Sequence, residues 1–187
     1  MLFRSENFLD LFKSATMKLS VGDPSLETTD VGTMINLSAA ERVEKMVADS
    51  VKSGAEEIIP FKREGAVVYP TILMTDNLDV EVVAEEIFGP IAVVIPSENL
   101  DEAISIANSS VFGLQSSCFT SSLETAFRVS EELDVGSLWI NEGSRFRMDN
   151  TPFGGVGDSG YGREGVKYAM EELSYLKFTG IRFPGRK

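Results

Sequence analysis

At 187 residues and 43% hydrophobic, the chain has the size of one domain and enough apolar side chains for a core. Its 29 acidic and 17 basic residues leave a net charge of −12, which excludes nucleic-acid binding through phosphate neutralisation and docking on an anionic membrane. With no histidine, one cysteine (Cys118) and no apolar run near the roughly 18 residues of a membrane span, it offers no His-based triad, no zinc site of the usual ligand set, no internal disulfide and no transmembrane helix; the opening residues lack a signal-peptide apolar segment, so a reducing cytoplasm is the expected location.

Phe8, Phe12, Ala15 and Leu19 recur at helical spacing and predict a helix over 6–18, ended by the polar loop at Gly22-Asp23-Pro24. Ser38, with Glu41 three residues on, reads as a capping box. It opens a helix whose buried stripe is Ala40, Val43, Met46, Val47 and Val51, stopped by Gly54. Strands are expected over 57–59 and 66–73, the second at a sheet edge because Pro70 cannot donate to a ladder.

Residues 84–90, Ala-Glu-Glu-Ile-Phe-Gly-Pro, are the most informative stretch. Gly89 and Pro90 predict a rigid turn feeding the apolar run 91–95. Such a turn holds Glu86 and Phe88 in fixed directions, an acceptor beside a flat apolar face, which suits a ligand with hydroxyls next to a planar ring. The alternative is that Glu85 and Glu86 are simply solvated and Phe88 is core.

From Ile91 onward strands and helices alternate. A strand over 91–95 precedes a helix capped by Asn99, with Leu100, Ala103, Ile104 and Ala107 on one face. A strand over 114–119 precedes a helix that Ser121 and Glu124 cap, carrying Ala126, Phe127 and Leu133; a strand over 137–140 closes the series. This order predicts an α/β fold with an open, mostly parallel sheet flanked by helices. Ligands gather at the carboxyl ends of such strands, where Thr120 and Asn141 stand, although ordinary loop and capping polarity is the favoured reading of both.

Six of the sixteen glycines lie between Gly154 and Gly165. Their spacing fits no Walker A loop and no clean dinucleotide fingerprint, so the segment reads as positive φ or close backbone approach. Val166, Ala169, Met170 and Leu173 then mark a helix, and 173–183 reads as a long C-terminal edge strand, one that a partner subunit can cover.

Taken together, Glu85-Glu86-Ile87-Phe88-Gly89-Pro90, Phe112-Gly113-Leu114 leading to Phe119-Thr120, Trp139-Ile140-Asn141, and Pro152-Phe153-Gly154-Gly155 with Ser159-Gly160 and Gly162-Arg163-Glu164-Gly165 resemble the C-terminal part of the aldehyde dehydrogenase superfamily. Gly22-Asp23-Pro24 and Asp30-Val31-Gly32 fit the same pattern, and the likeness covers nearly the whole chain. It implies that Glu86 bonds the nicotinamide-ribose hydroxyls of NAD or NADP, that Phe88 packs on the nicotinamide, and that Phe153 lines the aldehyde tunnel. It also implies a partial catalytic domain over 1–172 and an oligomerisation strand over 173–187 that joins a sheet across the subunit interface.

The run Arg145-Phe146-Arg147-Met148-Asp149-Asn150 resembles the lactaldehyde- and glyceraldehyde-oxidising branch. Arg145 and Arg147 could hold a hydroxylated or anionic aldehyde through charge-assisted hydrogen bonds, or could pair with surface carboxylates. Gly157 departs from the lysine the family usually has there.

The family reaction is thiolate attack on the aldehyde, hydride transfer to NAD(P) and thioester hydrolysis. The nucleophile, general base, oxyanion-hole asparagine and dinucleotide-binding domain lie upstream of the segment matched here. Cys118 does not fit the nucleophile motif, so no catalytic residue is assigned. The chain is thus expected to be a piece of such an enzyme and inactive alone, with a small aldehyde as substrate and either a second copy of itself or a chain carrying the missing domain as partner. A non-catalytic dimerisation module on the same fold is the alternative.

Overall fold

In the computed structural model, which describes residues 2–185, the chain forms two compact units, Met1–Asn99 and Leu100–Lys187. The first begins with α1 (Leu2–Thr16), where Phe8 stacks on Phe12 at 5.5 Å. In the loop that follows, the Asp30 carboxylate accepts from the Ser20 N–H at 2.8 Å and the Ser20 hydroxyl at 2.9 Å.

The second helix, α2 (Leu37–Lys52), has its apolar stripe where the spacing predicts: Ala40, Val43, Met46 and Val47 are buried, and Val51 packs at their margin. Its cap differs. Asn36 is the N-cap and accepts from the Ala39 N–H at 2.8 Å, while the Ser38 hydroxyl donates to Asn36 instead of capping. Either residue suits the role; the helix starts two residues earlier, with the Asn36 backbone extended and Leu37 already helical.

Beyond Gly54 come β1 (Glu56–Ile59), β2 (Arg63–Glu64), β3 (Val67–Val68), β4 (Thr71–Met74), the short α3 (Glu81–Ala84) and β5 (Ile91–Val94). The strand expected over 66–73 is therefore two strands. The first pairs back on β2 as a hairpin, and Pro70, which has no N–H to give, stands in the break. Nor is β4 an edge: it lies between antiparallel β1 and parallel β5, with Thr71, Ile72 and Leu73 buried. The α2 stripe packs with Val68, Leu73, Val80 and Val82 as one core.

The second unit contains α4 (Leu100–Asn108), β6 (Phe112–Gly113), β7 (Gln115–Cys118), α5 (Leu123–Glu132), β8 (Ser137–Ile140), β9 (Val156–Gly157) and α6 (Val166–Glu172). Parallel β7 and β8 pair in register from Gln115–Ser137 to Cys118–Ile140, joined through α5. The α5 cap is Ser122, which accepts from the Thr125 N–H at 3.2 Å, one residue beyond the expected Ser121. Arg128 ties α5 to α4 through Asp101 at 2.6 Å and also holds Glu132.

The α/β character is as expected, but among the described residues the strands form a mixed three-stranded sheet and separate pairs, not one open parallel sheet. Residues 173–183 form no strand and lie exposed, Leu176 at 103% and Phe178 at 94%. An edge segment has no ladder until another strand supplies one.

Close packing accounts for the crowded glycines. A Cβ on Gly136 would stand 1.6 Å from the Gly154 carbonyl oxygen. Arg163 reinforces this knot, its guanidinium donating to the carbonyls of Gly155 at 2.9 Å and Gly162 at 2.7 Å.

Candidate functional site

As α3 ends, the backbone becomes extended at Glu85 and then turns sharply. Phe88 has φ +48°, a left-handed value uncommon for a residue with a side chain. On one side of it Ile87 points inward to the first unit's core, and the Ile87 carbonyl accepts from the Arg42 guanidinium on α2. On the other, Gly89 lies against α2, where a Cβ would come within 3.1 Å of the buried Val43 side chain. The Ile91 N–H donates to the Gly89 carbonyl at 2.8 Å, and the Thr71 N–H donates to the Pro90 carbonyl at 3.0 Å at the head of the β4–β5 ladder.

With Ile87 and Gly89 committed inward, Phe88 stands 69% exposed and Glu86 is exposed beside it. Phe88 is therefore not a core residue of this unit. Among the described residues Glu86 makes no hydrogen bond or ion pair, leaving both carboxylate oxygens free to accept. The pair offers an unshared anion and an open ring face on a turn that is braced from behind.

The second unit holds the other candidates. Asn141, at the carboxyl end of β8, has φ +59°. Its side chain accepts from the Thr120 N–H and donates to the Thr120 carbonyl, both at 2.8 Å. These two strand-end residues thus satisfy one another and clamp the ends of β7 and β8. Trp139 meets Phe146 edge-on with ring centroids 5.0 Å apart.

Arg147 and Phe153 are brought together, the guanidinium 4.3 Å above the ring centroid. The same guanidinium reaches Glu164 at 3.2 Å, and Glu164 is bridged to Phe153 through backbone hydrogen bonds. Arg147 is therefore committed to a neighbouring carboxylate, as one of the two sequence readings had it. Arg145 is exposed and makes no such bond among the described residues. Phe153 borders a cleft of about 300 Å³ together with Leu114, Tyr161 and Arg163, and a larger apolar groove of about 1050 Å³ runs along Val166 and Met170 of α6 and Leu173 just beyond it.

Gly157 has φ +55°, and a Cβ there would lie 2.4 Å from the Val111 carbonyl oxygen. A lysine would not enter this loop conformation without a backbone shift. Cys118 is a half-buried free thiol in β7, and the described residues contain no cluster of three potential metal ligands. No described helix is long and apolar enough to cross a membrane.

Sequence reasoning missed Arg42, which is an exposed residue on the polar side of α2, 45 residues from its partner. Nothing local marks it. It also missed Glu164 as the partner of Arg147, a pair 17 residues apart joined only by the folding back of the glycine-rich segment.

A family model described as "Aldehyde dehydrogenase family" matches residues 4–179. The chain is 44% identical over 167 residues to a 3-sulfolactaldehyde dehydrogenase of Priestia aryabhattai, covering 89% of this chain and 35% of that protein. It is 43% identical over 173 residues to a lactaldehyde dehydrogenase of Methanocaldococcus jannaschii, covering 92% and 37%. The solved structure of glyceraldehyde-3-phosphate dehydrogenase GapN from Methanocaldococcus jannaschii, complexed with NADP, superposes with a TM-score of 0.87 at 43% identity, over 92% of this chain and 37% of that one. The chain spans little more than a third of the length of the relatives it matches.

Proposed function

The chain belongs to the aldehyde dehydrogenase family, and from that premise we propose that it supplies the nicotinamide-ribose and substrate-facing part of an NAD(P)-dependent enzyme oxidising a small hydroxylated or anionic aldehyde to its acid. The observation that carries this reading is the exposure of Glu86 and Phe88 on one braced turn. The residues present fit the cofactor: a carboxylate with free oxygens accepts hydrogen bonds from vicinal ribose hydroxyls, and an open aromatic face packs on a pyridine ring.

The dinucleotide, when bound, would accept the hydride. Glu86 would orient the ribose and Phe88 would limit tilt of the ring. Phe153 would line the approach of the aldehyde, its ring held by Arg147. Arg145, free of the pairing that occupies Arg147, is the better candidate to meet an anionic substituent. The segment described holds neither the nucleophile nor the dinucleotide-binding domain of such an enzyme. The chain alone should therefore produce no NADH or NADPH from lactaldehyde.

Grafting tests the reading. This chain would replace the matching segment of the Methanocaldococcus jannaschii lactaldehyde dehydrogenase. In that chimera, Glu86→Gln or Phe88→Ala should lower kcat/KM for the cofactor about tenfold or more, as expected for losing a charge-assisted bond or a ring contact. Arg145→Ala should lower kcat/KM for 3-sulfolactaldehyde by about tenfold while leaving lactaldehyde within about threefold. An active chimera indifferent to Glu86→Gln and Phe88→Ala would sink the cofactor assignment.

A second reading has its own support in the exposed apolar side chains of Leu173, Tyr175, Leu176 and Phe178. We propose 173–187 as an oligomerisation segment that adds a strand to a second copy of the chain. This is compatible with the enzymatic reading and also stands without it.

A further inference from the structure

We propose that Arg42 is a positioning residue for the Glu86–Phe88 turn, setting the presentation of the ring from α2; the proposal rests on the cofactor reading of that turn. A phenylalanine at φ +48° is disfavoured and persists only where its surroundings over-determine it. β4 holds the Pro90 carbonyl beyond the turn, and α2 braces the residues on either side of Phe88. The Ile87 side chain joins the core built on α2, the Ile87 carbonyl takes a hydrogen bond from Arg42, and Gly89 seats against Val43, the next residue along.

Two of these contacts are apolar and would tolerate sliding. The Arg42 bond is the directional one: it fixes the plane of the Ile87–Phe88 peptide, and that plane sets where the Phe88 ring points. A guanidinium suits the task because it reaches the turn from an exposed helix position and presents several N–H donors in a fixed plane. The exposed ring then keeps one orientation without being packed, as a stacking surface for a ligand ring requires.

The test uses the ¹⁵N-labelled chain as it stands, comparing wild type, Arg42→Ala and Arg42→Lys. The Ile91 amide, bonded to the Gly89 carbonyl, reports on the turn; the Thr75 amide, bonded to Val94 at the far end of the same ladder, is the control. In Arg42→Ala the Ile91 amide should exchange about tenfold faster or more, with Thr75 unchanged, and Arg42→Lys should recover most of the loss.

In parallel, titration with nicotinamide mononucleotide should shift the Glu86 and Phe88 amides of the wild type. The apparent Kd should be about tenfold weaker in Arg42→Ala, through lost preorganisation, and recover in Arg42→Lys. Unchanged Ile91 exchange in Arg42→Ala overturns the proposal. So does equal mononucleotide affinity of Arg42→Ala and wild type, in which case the cofactor reading survives. A wild-type chain whose Glu86 and Phe88 amides ignore the mononucleotide, while Ile91 still depends on Arg42, brings down the cofactor reading instead.

Discussion

In the first unit Val43, Val68, Ile72 and Leu73 are completely buried and Met46, Val47, Val80 and Val82 nearly so, whereas the buried hydrophobics described in the second are Ile104 and Val129. Both units expose apolar side chains, Leu11 and Ile35 in the first and Leu123, Phe127, Val166, Met170 and Leu173 among those in the second. The second is held by backbone packed on backbone, by Arg163 bonded to two carbonyls and by Arg128 bridging two helices. The contrast separates two tasks. A turn that keeps a strained phenylalanine in place sits on a dense core, and a unit with few buried side chains relies on backbone packing and ion pairs instead.

The sharpest break in this contrast would come from Gly136→Ala. Its Cβ would meet the Gly154 carbonyl oxygen at 1.6 Å, backbone against backbone. A loss of more than about 3 kcal/mol in urea denaturation is expected; a near-neutral result would mean that glycine packing does not hold the second unit.

Next come paired truncations. Leu73→Ala, at a fully buried position, should cost about 3 kcal/mol. Leu176→Ala, fully exposed, should stay within about 0.5 kcal/mol in the dissociated chain. Similar costs for both would erase the distinction between the units.

Deletion of 173–183 should reduce the particle mass seen by light scattering while leaving the first unit's unfolding transition in place. An unchanged mass removes the strand-pairing proposal.

The smallest effect is expected in the pH dependence. Hydrogen bonds from the Ser20 backbone and hydroxyl hold the Asp30 carboxyl below its ordinary value, and the Ser25 backbone and hydroxyl do the same for Asp23. A carboxyl depressed in the folded state contributes stability above its unfolded value of about 4, and that contribution fades as pH falls through the lower folded value. Asp30→Asn should therefore lower stability slightly at neutral pH and lose that deficit as pH falls below about 4, flattening the acid limb of a stability–pH curve. A deficit that appears in acid and is absent at neutral pH would contradict the sign.

Local patterns were legible in the residues alone. The stripe of α2 follows from 3.6-residue periodicity, β8 spans the expected 137–140, and glycine crowding announced close backbone approach. The Gly89–Pro90 corner was also readable, because Gly and Pro act on their own backbone angles.

Other features depended on what the chain meets in space. Asn36 and Ser38 are both competent caps, and the entry path of the chain chose between them. The edge position expected from Pro70 does not hold: Pro70 stands between β3 and β4, and β4 is central because strand order depends on β1 and β5 arriving on either side. Glu164 took Arg147 and left Arg145 free, a division between two similar arginines that only the fold-back of the glycine segment could make. The sequence by itself determined where the chain bends and which faces are apolar, since those properties reside in single residues and their periods. Tertiary structure alone decided that Phe88 adopts a left-handed angle and faces outward, because that conformation is imposed by α2, through a bond from Arg42 and a surface on Val43 that lie some 45 positions upstream.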